Sequence, residues 1–349
     1  MVRLGIDAHK RSHTIVAADE QGRQVGQVTV NATPAGHLAA LVWAGRWPQR
    51  RWAIEDCRHL SRRLERDLLA AGERVVRVPP KLMAIARRSA RTPGKSDPID
   101  ALAVARAALR EADLPVARLE GVERQVRLLV DHREDLVAER TRIQQRLGWH
   151  LHELEPGWEI PAGALDRGVW LDRVAQRLAA HQGVVAELAT ELVERCRELT
   201  VRANALERQL ERLVRPLAPS LLALAGCGPL TAAKLVAETA GVGRFRSRAA
   251  FAMQTGTAPV PVWSGNRERH RLNRGGNRQL NAALHRIAVT QLRLGGAGRA
   301  YLQRRLAAGD TKTEAIRALR RRLSDEVDRR LHADEGQQHR QPACLLPAA

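Results

Sequence analysis

The chain is poor in aromatic residues, which fill 3% of its 349 positions, and it has four cysteines. So few bulky rings argue against a membrane-surface protein, which needs amphipathic helices with aromatic and leucine anchors. No stretch approaches the roughly 18 consecutive apolar residues of a membrane span. Met1 to Asp7 lacks the long apolar core of a secretory signal. A cytoplasmic protein with no membrane partner is expected. Cys57, Cys196, Cys227 and Cys344 are scattered, with neither the paired spacing of a zinc site nor the density of a disulfide framework, which points to a reducing compartment. Lysine is scarce too: of 58 basic residues only Lys10, Lys81, Lys95, Lys234 and Lys312 are not arginine.

What is present is positive charge. Thirty-eight acidic residues leave a net charge of +20, far beyond what solubility needs, and a polyanion with condensed counterions is the expected partner. Arginine forks suit phosphate oxygens. Between Arg244 and Arg322 there are 18 basic and 3 acidic residues. That segment therefore contributes +15 of the total, and the nucleic-acid surface is expected there.

The apolar 44% of the chain can build more than one core. Strand patterns run over Arg3 to Asp7, Thr14 to Ala18 and Gln24 to Val30, with a turn at Asp19 and Gly22. Thr33 and Pro34 open a helix to about Gly45, and Arg51 to Glu55 is a fourth strand. A helix from about Leu60 to Ala71, a strand over Arg74 to Val78 and a helix from Lys81 follow. The order βββαβαβα is that of ribonuclease H-like mixed sheets, which carry acidic residues at strand ends. Long amphipathic helices are expected from about Val122 to Glu155 and from Leu171 to Val214, as a surface helical hairpin or a dimerising coiled-coil arm. Four segments result: an α/β domain over 1–118, a helical coiled-coil region over 119–215, a mainly helical domain over 216–333, and a disordered tail over 334–349.

Gly94-Lys95-Ser96-Asp97-Pro98-Ile99-Asp100 is the most informative segment. Asp97 and Asp100 are three apart at a helix start, so their carboxylates can share a hard cation. They equally suit helix capping, with Asp97 as N-cap and Pro98 next. Asp7 and Glu55 tilt the balance, because each ends an apolar strand where a charge needs a reason. Four converging carboxylates repel one another unless cations neutralise them, and two Mg²⁺ ions, with Mn²⁺ as a substitute, satisfy that need. Gly94-Lys95-Ser96 is not a nucleotide loop, since Ser89 stands where that pattern needs glycine. His9 and His13 read as solvated surface histidines.

Farther on, Gly226-Cys227-Gly228 lies between two helical stretches. Such a hairpin either offers backbone amides to a phosphate or simply turns the chain. Ser264, beside Gly265, lies among Arg267, Arg271, Arg274 and Arg278, which could hold a scissile phosphate. It is either a nucleophile or a turn serine, and no Ser/His/Asp set accompanies it.

Gly5-Ile6-Asp7, Glu55, Lys95 through Ala101, the Gly226-Cys227-Gly228 hairpin, and Ser264-Gly265 with Gly275-Gly276-Asn277-Arg278 stand in one order. Together they resemble the transposases of the insertion sequence 110 class, which include a pilin-gene invertase. The resemblance covers most of the chain. It implies a Holliday-junction-resolvase-like domain whose metal-holding set is Asp7, Glu55, Asp97 and Asp100, then a coiled coil, then a transposase domain whose attacking serine is Ser264. It further implies donor and target DNA, an element-encoded noncoding bridge RNA that chooses them, and a homo-oligomer from dimer to tetramer. A metal-dependent junction endonuclease using water, and a non-catalytic nucleic-acid-binding protein, are the alternative functions.

Overall fold

Three short runs rich in valine, isoleucine and threonine open the chain and form antiparallel strands β1 (Val2–Ala8), β2 (Ser12–Ala18) and β3 (Gln24–Asn31). The computed structural model describes residues 1–349 except 57, 80–81, 84–95, 112–113, 118–120, 266, 272, 274 and 341–349. The described residues divide into two compact units, Met1–Glu120 and Gly121–Ala349.

In the first unit the β2–β3 turn is held by the Asp19 carboxylate, which accepts from the Gln21 and Arg23 amides at 3.0 and 2.7 Å. On the other side of β1, strands β4 (Arg50–Glu55) and β5 (Val75–Val78) add in parallel. The sheet order is β3-β2-β1-β4-β5. This mixed order, antiparallel on one side of β1 and parallel on the other, is the ribonuclease H-like sheet expected from the sequence. The expected helix from Lys81 falls mostly outside the described residues.

Strand alternation sends Leu4, Ile6, Ala8, Trp52 and Ile54 to one face, where they pack with Ala40 and Ala44 of helix α1 (Pro34–Ala44) and Leu64 and Leu68 of helix α2 (Arg58–Ala70). Thr33 caps α1 by accepting from the Gly36 amide at 3.2 Å. The opposite face takes helix α3 (Asp97–Arg110), whose Val104, Ala107 and Ala108 pack with Ala53 and Val78. Gly5 makes that contact possible: a Cβ there would lie 2.1 Å from the Ala101 carbonyl oxygen and 2.5 Å from the Ala105 amide nitrogen.

His13 is buried, not solvated, which corrects the sequence-based expectation. It sits in β2 opposite Ala8 on the face covered by α1. Its ring lies 5.3 Å from that of buried His37, whose Nδ1 is 2.6 Å from Asp67 Oδ2. Alternation with the buried Ala8 row, invisible until the register is known, turns it inward.

In the second unit, helices α4 (Val122–Leu154) and α6 (Val184–Leu217) lie antiparallel, stitched by Arg133 to Glu207 at 2.8 Å and Arg195 to Glu139 at 2.7 Å. Leu136, Ile143, Leu147 and Leu151 meet Ala189, Val193, Cys196 and Leu199 between them. The single helix expected from Leu171 to Val214 is instead two, α5 (Gly168–Leu178) and α6. The break has a cause: Gly183 adopts φ 97°, and Arg177 and His181 both turn to Glu155 at the end of α4.

Helices α7 (Pro219–Leu222), α8 (Pro229–Thr239), α9 (Arg248–Gln254), α10 (Arg278–Leu294), α11 (Ala297–Ala307) and α12 (Lys312–Arg340) complete the unit. They surround Leu221, Leu235, Phe251, Leu284, Ile287 and Val327. A two-stranded hairpin, β6 (Val260–Ser264) and β7 (Arg267–Arg271), interrupts the helices. The tail expected to be disordered from 334 remains helical to Arg340. Asp334 accepts from the Ser220 amide at 2.9 Å and Glu335 from the Val242 amide at 2.6 Å, so these acids cap other segments and hold α12 in place. Among the described residues no helix is long and apolar enough to cross a membrane.

Gly5→Ala should destabilise the chain by about 3 kcal/mol in urea unfolding, because the new methyl meets backbone rather than a side chain that can yield. A second expectation concerns pH. Burial, together with His37 and His9, pushes His13 down from 6.5 to about 4. Between those values the unfolded chain takes up a proton that the folded one refuses, so His13 costs no stability above pH 6.5 and progressively more as pH falls toward 4. The loss reaches roughly 3 kcal/mol. His13→Leu should flatten that part of the stability–pH curve; equal slopes in the two proteins would refute the assignment.

Candidate functional site

Gly5 and Asp7 share the α3 face of β1, and Glu55 shares that face of β4 by alternation with Ala53. Ile6 pairs with Ile54 in the parallel register, so Asp7 and Glu55 end neighbouring strands at the same edge. Helix α3 supplies the rest. Ser96, not Asp97, occupies its capping position, with Pro98 in the first turn and Asp97 and Asp100 following as first-turn acids. The capping reading of Asp97 is thereby corrected: its carboxylate faces the sheet edge, 3.4 Å from His9 Nε2. Because Gly5 lets α3 lie against β1, the start of that helix comes to the end of that strand.

The tight group is Asp7, His9 and Asp97, each offering an atom within 4.8 Å of the others. His9 Nε2 is 3.1 Å from Asp7 Oδ2. His9 is exposed, as the sequence suggested, but Asp7 and Asp97 stand at ligand spacing from it, a partnership the sequence did not reveal. Glu55 is half-buried and Asp100 buried, both beside this trio rather than in it. Burial raises the Asp7 carboxyl above its ordinary value; His9 opposes the rise, while Asp100 and Asp97 add to it. A carboxylate held among like charges in a part-desolvated place is the electrostatic signature of a cation site. The all-oxygen donors of the four acids suit a hard divalent ion.

Local sequence explains the second constellation, in the second unit, just as directly. Ser264 ends β6 and pairs across the hairpin with Arg267, and just after Ser264 Gly265 takes φ 59°. A positive φ of this kind favours glycine. Arg271 pairs with Val260 at the hairpin base, and Arg278 is the exposed first residue of α10. Arg274 lies outside the described residues.

The base of the hairpin is clamped. Asn277 caps α10 by accepting from the Gln279 and Leu280 amides at 2.8 and 3.0 Å, and its Nδ2 donates to the buried Glu238 at 2.6 Å. Its own amide donates to the Gln254 carbonyl at 2.6 Å. Asn281 Nδ2 reaches the Thr255 carbonyl at 2.9 Å, and Arg320 donates to Asn281 Oδ1 at 2.7 Å. Gly276 lies so close to Gly256 that a Cβ would come within 2.2 Å of the Gly256 nitrogen. The segments entering and leaving the hairpin are therefore fastened to each other and to α8 and α12.

Gly226, with φ 84°, and Gly228, the capping residue of α8, flank buried Cys227, whose thiol burial pushes up to about 12. A Cβ on Gly226 would stand 3.0 Å from the Ile287 carbonyl oxygen of α10. Arg286 and Thr231 line the depression beside this hairpin. Arg286 was not among the sequence-based candidates: nothing in its local pattern marks it among so many arginines.

A ribonuclease H-like sheet with acids at the ends of β1 and β4 and at the start of the packed helix defines a class of enzyme that acts on phosphodiesters. Residues 4–156 match the family model for DEDD transposases of the IS110 type, described as transposase, and residues 218–303 match that of the transposase IS116/IS110/IS902 family. The chain belongs to the insertion sequence 110 family of transposases, and is an enzyme acting on DNA. It is 28% identical over 369 residues to an uncharacterized 44.8 kDa protein of insertion element IS116 from Streptomyces clavuligerus, covering 92% of each chain. It is 28% identical over 378 residues to a 42 kDa protein of insertion element IS900 from Mycobacterium paratuberculosis, covering 92% of this chain and 93% of that one. RuvC of T. thermophilus, solved with a Holliday junction substrate, is 18% identical with a TM-score of 0.25 over 32% of this chain and 94% of that one. The strand order, rather than that partial overlap, carries the fold.

Asn277→Ala removes a helix cap and leaves the buried Glu238 short of a donor. It should cost about 2 kcal/mol in urea unfolding. Amide hydrogen exchange over 260–271 should accelerate with it; unchanged exchange there would show that the clamp does not hold the hairpin.

Proposed function

We propose that the chain moves its own insertion element as a DNA recombinase, with Asp7, Glu55, Asp97 and Asp100 holding divalent metal, Mg²⁺ first, and Ser264 attacking DNA. The observation that carries this reading is that Asp7 at a strand end and Asp97 at a helix start come together, with Glu55 on the neighbouring strand and Asp100 in the same helix turn, in a chain otherwise rich in arginine. Divalent metal would supply charge neutralisation at the scissile phosphate and at the oxygens entering and leaving it. Arg267, Arg271, Arg274 and Arg278 would orient that phosphate. The Ser264 hydroxyl loses its proton as its Oγ bonds to phosphorus, and the bond to one deoxyribose oxygen breaks, that oxygen taking up a proton. The phosphoester so formed conserves the bond for rejoining, so no nucleotide cofactor is needed.

Gly226 and Gly228 would present backbone amides to a phosphate, with Arg286 beside them. Contacts of this kind position DNA without reading it, so target choice would fall to an element-encoded noncoding RNA pairing with donor and target strands. Acids and serine lie in different units of the chain, which suits a dimer or tetramer whose sites combine residues of two protomers. Water as nucleophile is the competing reading, favoured by the acidic set being complete within one unit.

Asp97→Asn and Ser264→Ala should each lower recombination by at least about 1,000-fold while the protein still folds. A suicide DNA substrate should trap a covalent protein–DNA adduct in the parent and none in Ser264→Ala. Cleavage without any adduct in the parent would establish the water route instead. One enriched RNA species should copurify, and its absence would remove the guided mechanism.

A further inference from the structure

We propose that His9 is a nitrogen ligand of the metal held by Asp7 and Asp97, so that this centre mixes oxygen and nitrogen donors. The inference rests on reading the acidic cluster as a metal centre and adds a ligand that the four acids do not include. Around an octahedral ion with donors at about 2.1 Å, adjacent donors stand about 3 Å apart and opposite ones about 4.2 Å. His9 Nε2 is 3.1 Å from Asp7 Oδ2 and 3.4 Å from Asp97 Oδ1, close to two adjacent edges of that octahedron, and all three donors fall within 4.8 Å. The two carboxylates come from different elements, a strand end and a helix start, so their shared approach to one ring nitrogen is set by the fold.

His9 is also placed by its own backbone. Its amide donates to the Ser12 carbonyl at 3.0 Å, closing the tight β1–β2 connection two residues after Asp7 and directing the ring back over the strand end. An imidazole with its proton on Nδ1 would present Nε2 as the ligand. An imidazole in the first coordination sphere shifts preference from Mg²⁺, which seeks oxygen alone, toward Mn²⁺ and later transition ions. The chain should therefore bind Mn²⁺ more tightly than Mg²⁺ by a margin that depends on His9.

Pulsed electron paramagnetic resonance on the full-length chain loaded with Mn²⁺ alone reads the bond directly. The parent should show ¹⁴N coupling to the bound ion. His9→Gln, at a half-exposed position, should fold normally, lose that coupling and weaken Mn²⁺ binding about 10-fold in calorimetry, with a smaller effect on Mg²⁺. No ¹⁴N coupling in the parent, or the same coupling and affinity in His9→Gln, overturns the proposal. Asp7→Asn separates the two levels: if it abolishes Mn²⁺ binding while His9→Gln changes nothing, His9 is not a ligand and the acidic centre stands. If Asp7→Asn leaves Mn²⁺ binding intact, the metal centre itself is refuted.

Discussion

Everything at the acidic end of the first unit depends on one close approach. Helix α3 rests on β1 where Gly5 has no side chain, with the Ala101 carbonyl and the Ala105 amide filling the space a methyl would need. Small residues on both sides permit it: Ala101 and Ala105 are buried in α3, and Ala53 of β4 packs with Val104, Ala107 and Ala108 of the same helix. Backbone-to-backbone packing of this kind fixes position more tightly than contact through long side chains, which can repack. It delivers the start of α3 to the end of β1 and so sets the separation of Asp97 from Asp7 and His9.

That geometry is electrostatically expensive. Asp7 is partly removed from water and feels Asp97 and Asp100, while His9 works against the rise in its pKa. Folding energy from the two apolar faces of the sheet sustains the strain, which is usual where like charges are gathered for function. The second unit has a parallel device. Gly276 meets Gly256 backbone to backbone, and Asn277, Asn281, Glu238 and Arg320 secure the base of the hairpin that bears Ser264. In both places a glycine contact brings segments together and polar side chains then lock them.

Charge is distributed by role. Along the α4–α6 pair, arginines meet acids across the interface, as Arg133 does Glu207 and Arg195 Glu139, while Arg197 of α6 meets Asp172 of α5. Such pairs add little stability at a surface but set which helix face meets which. The segment from Arg244 to Arg322 has no such balance, with 18 basic against 3 acidic residues. Long-range attraction for a polyanion follows from that excess and not from any one contact.

Local rules explain what was legible without coordinates. Strand alternation, the Thr33–Pro34 helix start and the Pro98 start of α3 are short-range signals, and with Asp7 and Glu55 at strand ends they outlined both the sheet and its acids. Where contacts join distant residues the signals failed. His13 looked solvated because its burial depends on register with Ala8, and the approach of His9 to Asp97 joins residues far apart along the chain. The break at Gly183 depends on Glu155 drawing in Arg177 and His181, and the order at the end of α12 on capping by Asp334 and Glu335. The sequence by itself determined most element types of the first unit, because these follow from periodicity and backbone preference. Only the tertiary structure decided which side chains meet, because that turns on packing distances between segments the chain does not place side by side.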